Sequence, residues 1–355
     1  AWSESYRVIA NCNVILDRIP PIELNAELKN RITGEALFIR SLVYYHMAIG
    51  FGNIPLQLTP FVSGDELVQV DETTILQQLV TDLTEAEANL PVSYSGNEVG
   101  KATKGAAATL LAKVLLTLGN NSEAETVLRR IIGNYGYELL PNYADLWGVA
   151  NENNAESIFE VQYISGGIGQ GSVFTNDFSP STDLQTGAGF GRNRPTISMQ
   201  EAYEDGDLRY EVSMGATYTN LEGEVVEARH IRKYQSDLAI ENDSDINFVV
   251  FRYADVLLML AEALGETPES YDLINEVRNR AGLPDIDAST PGSFQDKLLQ
   301  DRRVELAFEN HLWPDLKRFG AVDRVLEAED FITDTREYFF IPQREIDINP
   351  NFVQN

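Results

Sequence analysis

Apolar residues that recur every third or fourth position confine most of this chain to amphipathic helices, and any fold it adopts must satisfy that period. The pattern is cleanest after residue 71, where Ile75, Leu76, Leu79, Val80, Leu83, Ala86 and Leu90 share one face and Asp71 is placed to cap the start. Trp2, Tyr6, Ile9 and Val14 open an earlier helix. The next is expected from about Gly34 to Ile49, carrying Leu37, Phe38, Ser41, Leu42 and Tyr45, with a stop at Gly50 before the turn Gly52-Asn53-Ile54-Pro55.

Helix pairs follow. Ala106 to Leu118 ends at Gly119, and Ser122-Glu123-Ala124-Glu125 has the capping-box form that opens a partner helix. Leu111, Ala112, Leu115, Ala124 and Leu128 stand where the core residues of a tetratricopeptide hairpin stand. A second hairpin is expected from Phe248 to Leu264, joined through Gly265 and Thr267-Pro268 to Tyr271–Ala281 and closed by Gly282 and Pro284. Ser293 is placed to cap a helix from Phe294 to about Asn310, and a short turn follows Pro314. The last residues, from Phe339 through Asn351, read as an extended tail.

Between residues 150 and 245 the helical period fails. Ile158, Phe159, Val161 and Tyr163 suggest a short strand, and Ile164 to Pro195 is rich in Gly, Ser, Asn and aromatics. A long irregular segment inside a compact protein is commonly functional. Glycines such as Gly166, Gly167, Gly171, Gly187 and Gly189 let its backbone fold tightly or approach a ligand.

The chain carries 27 Lys and Arg against 55 Asp and Glu, a formal charge of −28 that repels phosphate backbones, so nucleic acid is excluded as a partner. The single cysteine, Cys12, rules out an internal disulfide and suits a small buried hydrophobe in a helix. The most apolar stretch, Phe248 to Leu264, is interrupted by Arg252, Asp255 and Glu262 and is no membrane span. The sequence opens at Ala1-Trp2, already on a helical period and without an initiating Met, so its natural beginning is expected to lie upstream.

No enzyme motif is present. His46, His230 and His311 are far apart, no G-x-S-x-G elbow occurs, and Gly100-Lys101 is followed by Ala102 where a phosphate loop needs Ser or Thr. Glu241-Asn242-Asp243-Ser244-Asp245-Ile246-Asn247 alternates oxygen side chains as a calcium loop does, but it lacks the central glycine and has Ala254 at the closing position. It reads as a solvated loop, and no metal or cofactor is expected. Asp255 one turn after Arg252, Glu305 near Arg302, and Asp315 three before Arg318 suggest ion pairs between stacked helices.

Several segments in sequence order resemble the SusD/RagB proteins of Bacteroidetes-type bacteria. They are Tyr6 to Asn11 with Asn13, Glu35-Ala36 with Phe38-Ile39-Arg40, Gly52 to Pro55, and Asp82-Leu83. The series continues with Arg252-Tyr253-Ala254-Asp255, Ala261-Glu262-Ala263, Ile274-Asn275 and Arg278 to Leu283. It closes with Arg302 to Ala307 and Glu309, Ile341-Pro342, Glu345-Ile346 and Gln354-Asn355.

The resemblance implies an all-α fold, a tetratricopeptide-like helical-pair scaffold with long irregular ligand-binding insertions and an extended C-terminal tail. It is expected to form one domain over 1–355: helical pairs in 1–150, an irregular insertion with short strands in 151–247, helical pairs in 248–330 and the tail in 331–355. The resemblance further implies a non-catalytic surface lipoprotein that captures oligosaccharide or polysaccharide and delivers it to a TonB-dependent SusC-like transporter. It would sit on the extracellular face of the outer membrane, held by an N-terminal lipid anchor expected upstream of Ala1. Peptide capture is the alternative, and an all-α glycoside hydrolase is the enzymatic one.

Sugars in water are held by aromatic rings against C–H faces and by planar polar groups on paired hydroxyls. The insertion offers Tyr163, Phe174, Phe178 and Phe190 as rings, with Asn176, Asp177, Asp183, Arg192, Asn193 and Arg194 as polar partners. As platforms, Phe174 and Phe178 would matter to affinity and little to stability. The tryptophans Trp2, Trp147 and Trp313 all fall in segments that read as scaffold.

Overall fold

The computed structural model describes residues 2–60, 67–180, 189–220, 222–328 and 337–355. They form two compact units, Ala1–Tyr135 with Gly320–Asn355, and Gly136–Phe319.

The first unit is built from helices α1 (Trp2–Arg18), α2 (Ala26–Phe51), α3 (Glu72–Asn89), α4 (Lys104–Thr117) and α5 (Asn121–Asn134), with strands β1 (Ile54–Pro55) and β2 (Gln69–Val70) paired before α3. Each helix packs on the next. The central α4 is buried along most of its length, Thr109 and Lys113 included, because α3 and α5 both pack on it, and its run of Ala106, Ala107 and Ala108 is fully buried. Asp71 caps α3 as its position predicts, its side chain accepting the Thr74 N–H at 2.8 Å.

Two boundaries differ from expectation. Helix α2 begins at Ala26 and passes through Gly50, because the Asn25 side chain caps a polar first turn that carries no apolar period. The capping box at Ser122 does not form. The chain turns at Gly119, whose N–H bonds Leu116, so α5 has already begun when Ser122 is reached.

In the second unit, β3 (Ser157–Val161) is followed by the short helices α6 (Phe174–Phe178), α7 (Ile197–Glu201) and α8 (Tyr210–Ser213). Strands β4 (Met214–Thr219) and β5 (Val225–Ile231) form an antiparallel hairpin, and β6 (Phe248–Arg252) pairs with β3. Helices α9 (Tyr253–Leu264), α10 (Pro268–Arg280), α11 (Phe294–Glu305) and α12 (Leu312–Arg318) complete it. The helix expected from Phe248 therefore starts only at Tyr253: Phe248-Val249-Val250-Phe251 is a β-branched and aromatic run that finds a strand partner in β3. Thr267 and Ser293 cap α10 and α11. The latter ends at Glu305 rather than near Asn310, and beyond it Phe308 and Asn310 adopt left-handed φ of 68° and 64°.

A buried ionic core joins these elements. Glu305 meets Arg209 at 3.1 Å, Arg252 at 2.5 Å and also Arg280, while Glu156 takes Arg252 and Arg280 at 2.9 and 2.6 Å. Glu309 binds Arg252 and Lys233, each at 2.7 Å, and Asp207 binds Arg209 at 2.7 Å. The charges balance, Arg209, Lys233, Arg252 and Arg280 against Glu156, Asp207, Glu305 and Glu309. Burial works to raise the Glu305 carboxyl, but Arg280, Arg252 and Arg209 hold it well below the usual carboxylate range. A second cluster links Arg302 to Asp255 and Asp315, each at 2.8 Å, and Arg318 to Asp315 at 2.8 Å. The expected pairing between stacked helices forms from Asp255 of α9 to Arg302 of α11, and Asp315 meets Arg318 within α12, whereas Glu305 pairs with Arg209, Arg252 and Arg280 rather than Arg302.

The chain then returns to the first unit through α13 (Val322–Ala328) and α14 (Gln343–Ile348), a short helix within the segment read as an extended tail. The tail is tied down by main-chain contacts: Phe339 donates to Gly50 at 2.7 Å, and Gln354 bonds both N–H and C=O of Ile341.

Candidate functional site

The glycine-rich loop after β3 is held by the acidic segment that spacing alone likened to a calcium loop. Asp243 Oδ2 accepts the N–H groups of Gly166 and Gly167 at 2.8 and 2.7 Å, Asp245 Oδ1 accepts that of Ser165 at 2.6 Å, and Asn247 Oδ1 that of Tyr163 at 2.9 Å. These side-chain oxygens serve successive amides of one loop, as an anion does in a backbone nest. A Cβ on Gly171 would stand 2.1 Å from Asp243 Oδ1, so the approach requires glycine. Beneath them, Glu152 accepts the Asn247 N–H at 2.7 Å. Burial raises the Glu152 carboxyl to about 7 against the pull of that N–H, with Glu160 and Asp245 adding to the rise.

The rings named from sequence divide into two groups. Phe174 stacks on Phe178 at 5.5 Å, and Tyr163, Tyr234 and Phe248 lie 5.9, 5.6 and 5.2 Å from Phe174. Together with Trp147, Ile231 and Ile246 they make a packed cluster, so Phe174 and Phe178 contribute to a core rather than stand free. Phe190 instead lies under the Arg192 guanidinium at 5.0 Å, and Arg192 pairs with Asp177 at 2.9 Å. Asn176 is fully buried, its side-chain oxygen accepting the Asn242 N–H at 2.8 Å. Asn193 is exposed at φ 50°, Arg194 is exposed and donates to Gly191 O, and Asp183 lies outside the described residues.

Phe190, Gly191 and Arg192 donate their N–H groups to the carbonyls of Asn176, Ser179 and Asp177 at 2.8, 2.9 and 2.7 Å. This seats the Phe190 segment beside Ser179 and Pro180, which line an open cleft of about 880 Å³. A ligand cleft of a few hundred to a thousand Å³ suits a short oligomer. Thr217, Tyr218 and Thr219 of β4 line it, with His230 of β5 and then Arg232, Gln235, Ser236 and Asp237. Val149, Thr175 and Asp245 complete the wall.

Sequence reasoning missed this hairpin. Its signal was the alternation in Met214–Thr219 and Val225–Ile231 on either side of Glu222-Gly223. Gly215 makes the site possible, because a Cβ there would lie 2.6 Å from His230 Cε1 and 2.7 Å from Arg232 Nε. His230 donates through Nδ1 to Ala228 O at 2.9 Å, and the Tyr218 ring meets it edge-on at 6.4 Å. Burial lowers the His230 pKa below its ordinary value, Arg232 adds to the drop, and the Ala228 carbonyl opposes it. Arg232 is itself paired with Glu211 at 2.5 Å. Hydroxyls, amides, an imidazole and carboxylates thus face a solvent-open space with one tyrosine ring among them, a lining fit for hydroxyl-rich ligands.

Among the described residues no helix is long and apolar enough to cross a membrane. Residues 208–355 match a family described as the SusD family, and residues 1–116 match one described as starch-binding, associating with the outer membrane. A laminarin-binding SusD-like protein of known structure superposes with a TM-score of 0.88 at 30% identity, over 100% of this chain and 84% of that one. A SusD superfamily protein of Parabacteroides distasonis gives 0.87 at 28% identity, again over 100% and 84%. A SusD-like protein of Formosa agariphila is 28% identical over 100% of this chain and 78% of its own length. The helical fold and its order of segments are those of these relatives, and the chain belongs to the SusD family.

Proposed function

We propose that the protein captures an oligosaccharide or polysaccharide in the cleft between the Phe190 segment and the β4–β5 hairpin, and does not cleave it. The observation that carries this reading is the cleft's lining: Tyr218 beside His230, with hydroxyl and carboxylate side chains around them, open to solvent. The laminarin-binding relative at 30% identity supports it and makes laminarin the first ligand to test. We further propose that the protein hands its ligand to a TonB-dependent SusC-like transporter at the outer membrane, with a lipid anchor as its tether; family membership supports this reading.

Two carboxylates, Asp237 and Asp245, line the cleft, and hydrolysis of a glycoside needs two. Asp245 already holds the Ser165 N–H, which gives it a structural duty. Calorimetry with laminarin, other polysaccharides and peptides, run beside an assay for reducing ends, tests the reading. Heat of binding with no new reducing ends is the expected result. Released sugars would assign hydrolysis, and heat from peptides alone would assign peptide capture. Detergent co-purification of the full-length protein with a SusC-like transporter from native membranes tests the partnership, and elution alone at every ionic strength would refute it.

A further inference from the structure

The hydroxyls of Thr217, Tyr218 and Thr219 and the Gln235 amide can donate or accept, whereas the groups of the cleft with a fixed polarity and no cation of their own are acceptors. His230 donates through Nδ1 to a carbonyl, which can only accept, so the neutral ring presents Nε2 as a lone pair. Among the described residues no group donates to that nitrogen. The Asp237 carboxylate forms no ion pair among the described residues, and Asp245 keeps one oxygen beyond the Ser165 contact.

The cation of the cleft, Arg232, is already neutralised by Glu211. Arg192 is paired with Asp177, and Arg194 and Arg229, which donate to backbone carbonyls, do not line the cleft. Burial and Arg232 both hold the His230 pKa below its ordinary value, and Tyr218 meets the ring edge-on across the hairpin. A ligand carboxylate or sulfate would find two carboxylates and no free cation, inside the field of a chain whose formal charge is −28.

From this geometry we infer that the cleft selects uncharged glycans and reads their hydroxyl groups as donors, with His230 and Asp237 as the specificity-determining acceptors; the inference rests on the glycan-capture reading above. Sugar hydroxyls can donate or accept, so those that meet His230 and Asp237 must donate there, and the cleft rejects uronates and sulfated sugars by leaving their charge unpaired.

The test titrates the whole chain with laminarioligosaccharides and with oligogalacturonides of equal length, at low salt and at about 150 mM salt. The neutral series is expected to bind with the same affinity at both salts, and the acidic series to give no heat at low salt, where charge matters most. Asp237→Ala, at an exposed position, should weaken the neutral ligand about tenfold, the effect of one charge-assisted hydrogen bond. His230→Phe should do the same, and a circular dichroism melt shows whether that more buried variant still folds. Oligogalacturonide binding as tight as the neutral series, or an unchanged affinity in Asp237→Ala, would overturn the selectivity while leaving glycan capture intact. Absence of heat from every glycan would overturn both.

Discussion

Asp243 holds Gly167 by its backbone: Oδ2 of the carboxylate accepts the glycine N–H at 2.7 Å and takes the neighbouring Gly166 N–H at 2.8 Å through the same atom. The loop that carries Ile164 and Ile168 into solvent is therefore positioned by a distant acidic segment as well as by its own bridge between Ile164 and Gln170. Asp243→Ala should cost about 2–3 kcal/mol, since two charge-assisted hydrogen bonds are lost and two amides are left without an acceptor. Hydrogen exchange provides the check: amides of Gly166 and Gly167 should exchange faster while those of α9 stay protected. Equal protection of both regions would contradict the assignment.

Replacing Glu305 by Gln leaves the balanced network one negative charge short, with Asp207, Glu156 and Glu309 as the remaining acidic partners of Arg209, Arg252 and Arg280. Breaking a buried ion network from one side costs about 3–5 kcal/mol, against less than about 1 kcal/mol for an exposed pair such as Arg129 with Glu125. Urea denaturation of Glu305→Gln and Glu125→Gln side by side should separate the two by that margin. Similar midpoints would show that the cluster tolerates an unpaired charge.

Phe174→Ala removes a ring that touches Tyr163, Phe178, Tyr234 and Phe248. The expected loss is about 2–4 kcal/mol of stability, at the lower end of large aromatic truncations because the ring is only partly buried. Ligand affinity of the folded fraction should stay within about twofold, as one hydrogen-bond-free contact outside the cleft predicts. An unshifted melting temperature with lost affinity would return the ring to the role of a sugar platform.

Glu152 gives the protein a pH signature. Its carboxyl is raised to about 7 in the folded state from an ordinary 4.5, so the folded state prefers the protonated form. Its stabilising contribution is complete below about pH 4.5 and is lost as pH rises through about 7. Glu152→Gln should remove that slope, and the melting temperature of the native protein should fall relative to the variant between about pH 5 and pH 8. Parallel curves across that window would place Glu152 in water.

The helical scaffold was legible because its signals are local. Asp71, Thr267 and Ser293 cap the helices that follow them, and the faces marked by Leu79, Leu83 and Leu111 are buried. Phe248 misled because a short apolar run has no period of its own, and its strand character depends on a partner far away in sequence, in β3. Asp243 and Asn247 were read as solvated for the same reason, since the amides they bind lie near residue 165. The helical period fails in the insertion, but its β4–β5 hairpin went unread and His230 and Tyr218 were not among its chosen residues. Nothing local distinguishes a cleft histidine from any other; only the close approach that Gly215 permits brings it to the wall.

Titrating laminarioligosaccharides into the whole chain and into Tyr218→Ala, with reducing ends assayed in the same cells, measures the account most directly. The native protein should bind without releasing sugar, and the variant should lose about tenfold in affinity with its melting temperature nearly unchanged. Full affinity in Tyr218→Ala, or reducing ends that accumulate with the native protein, would contradict glycan capture by this cleft.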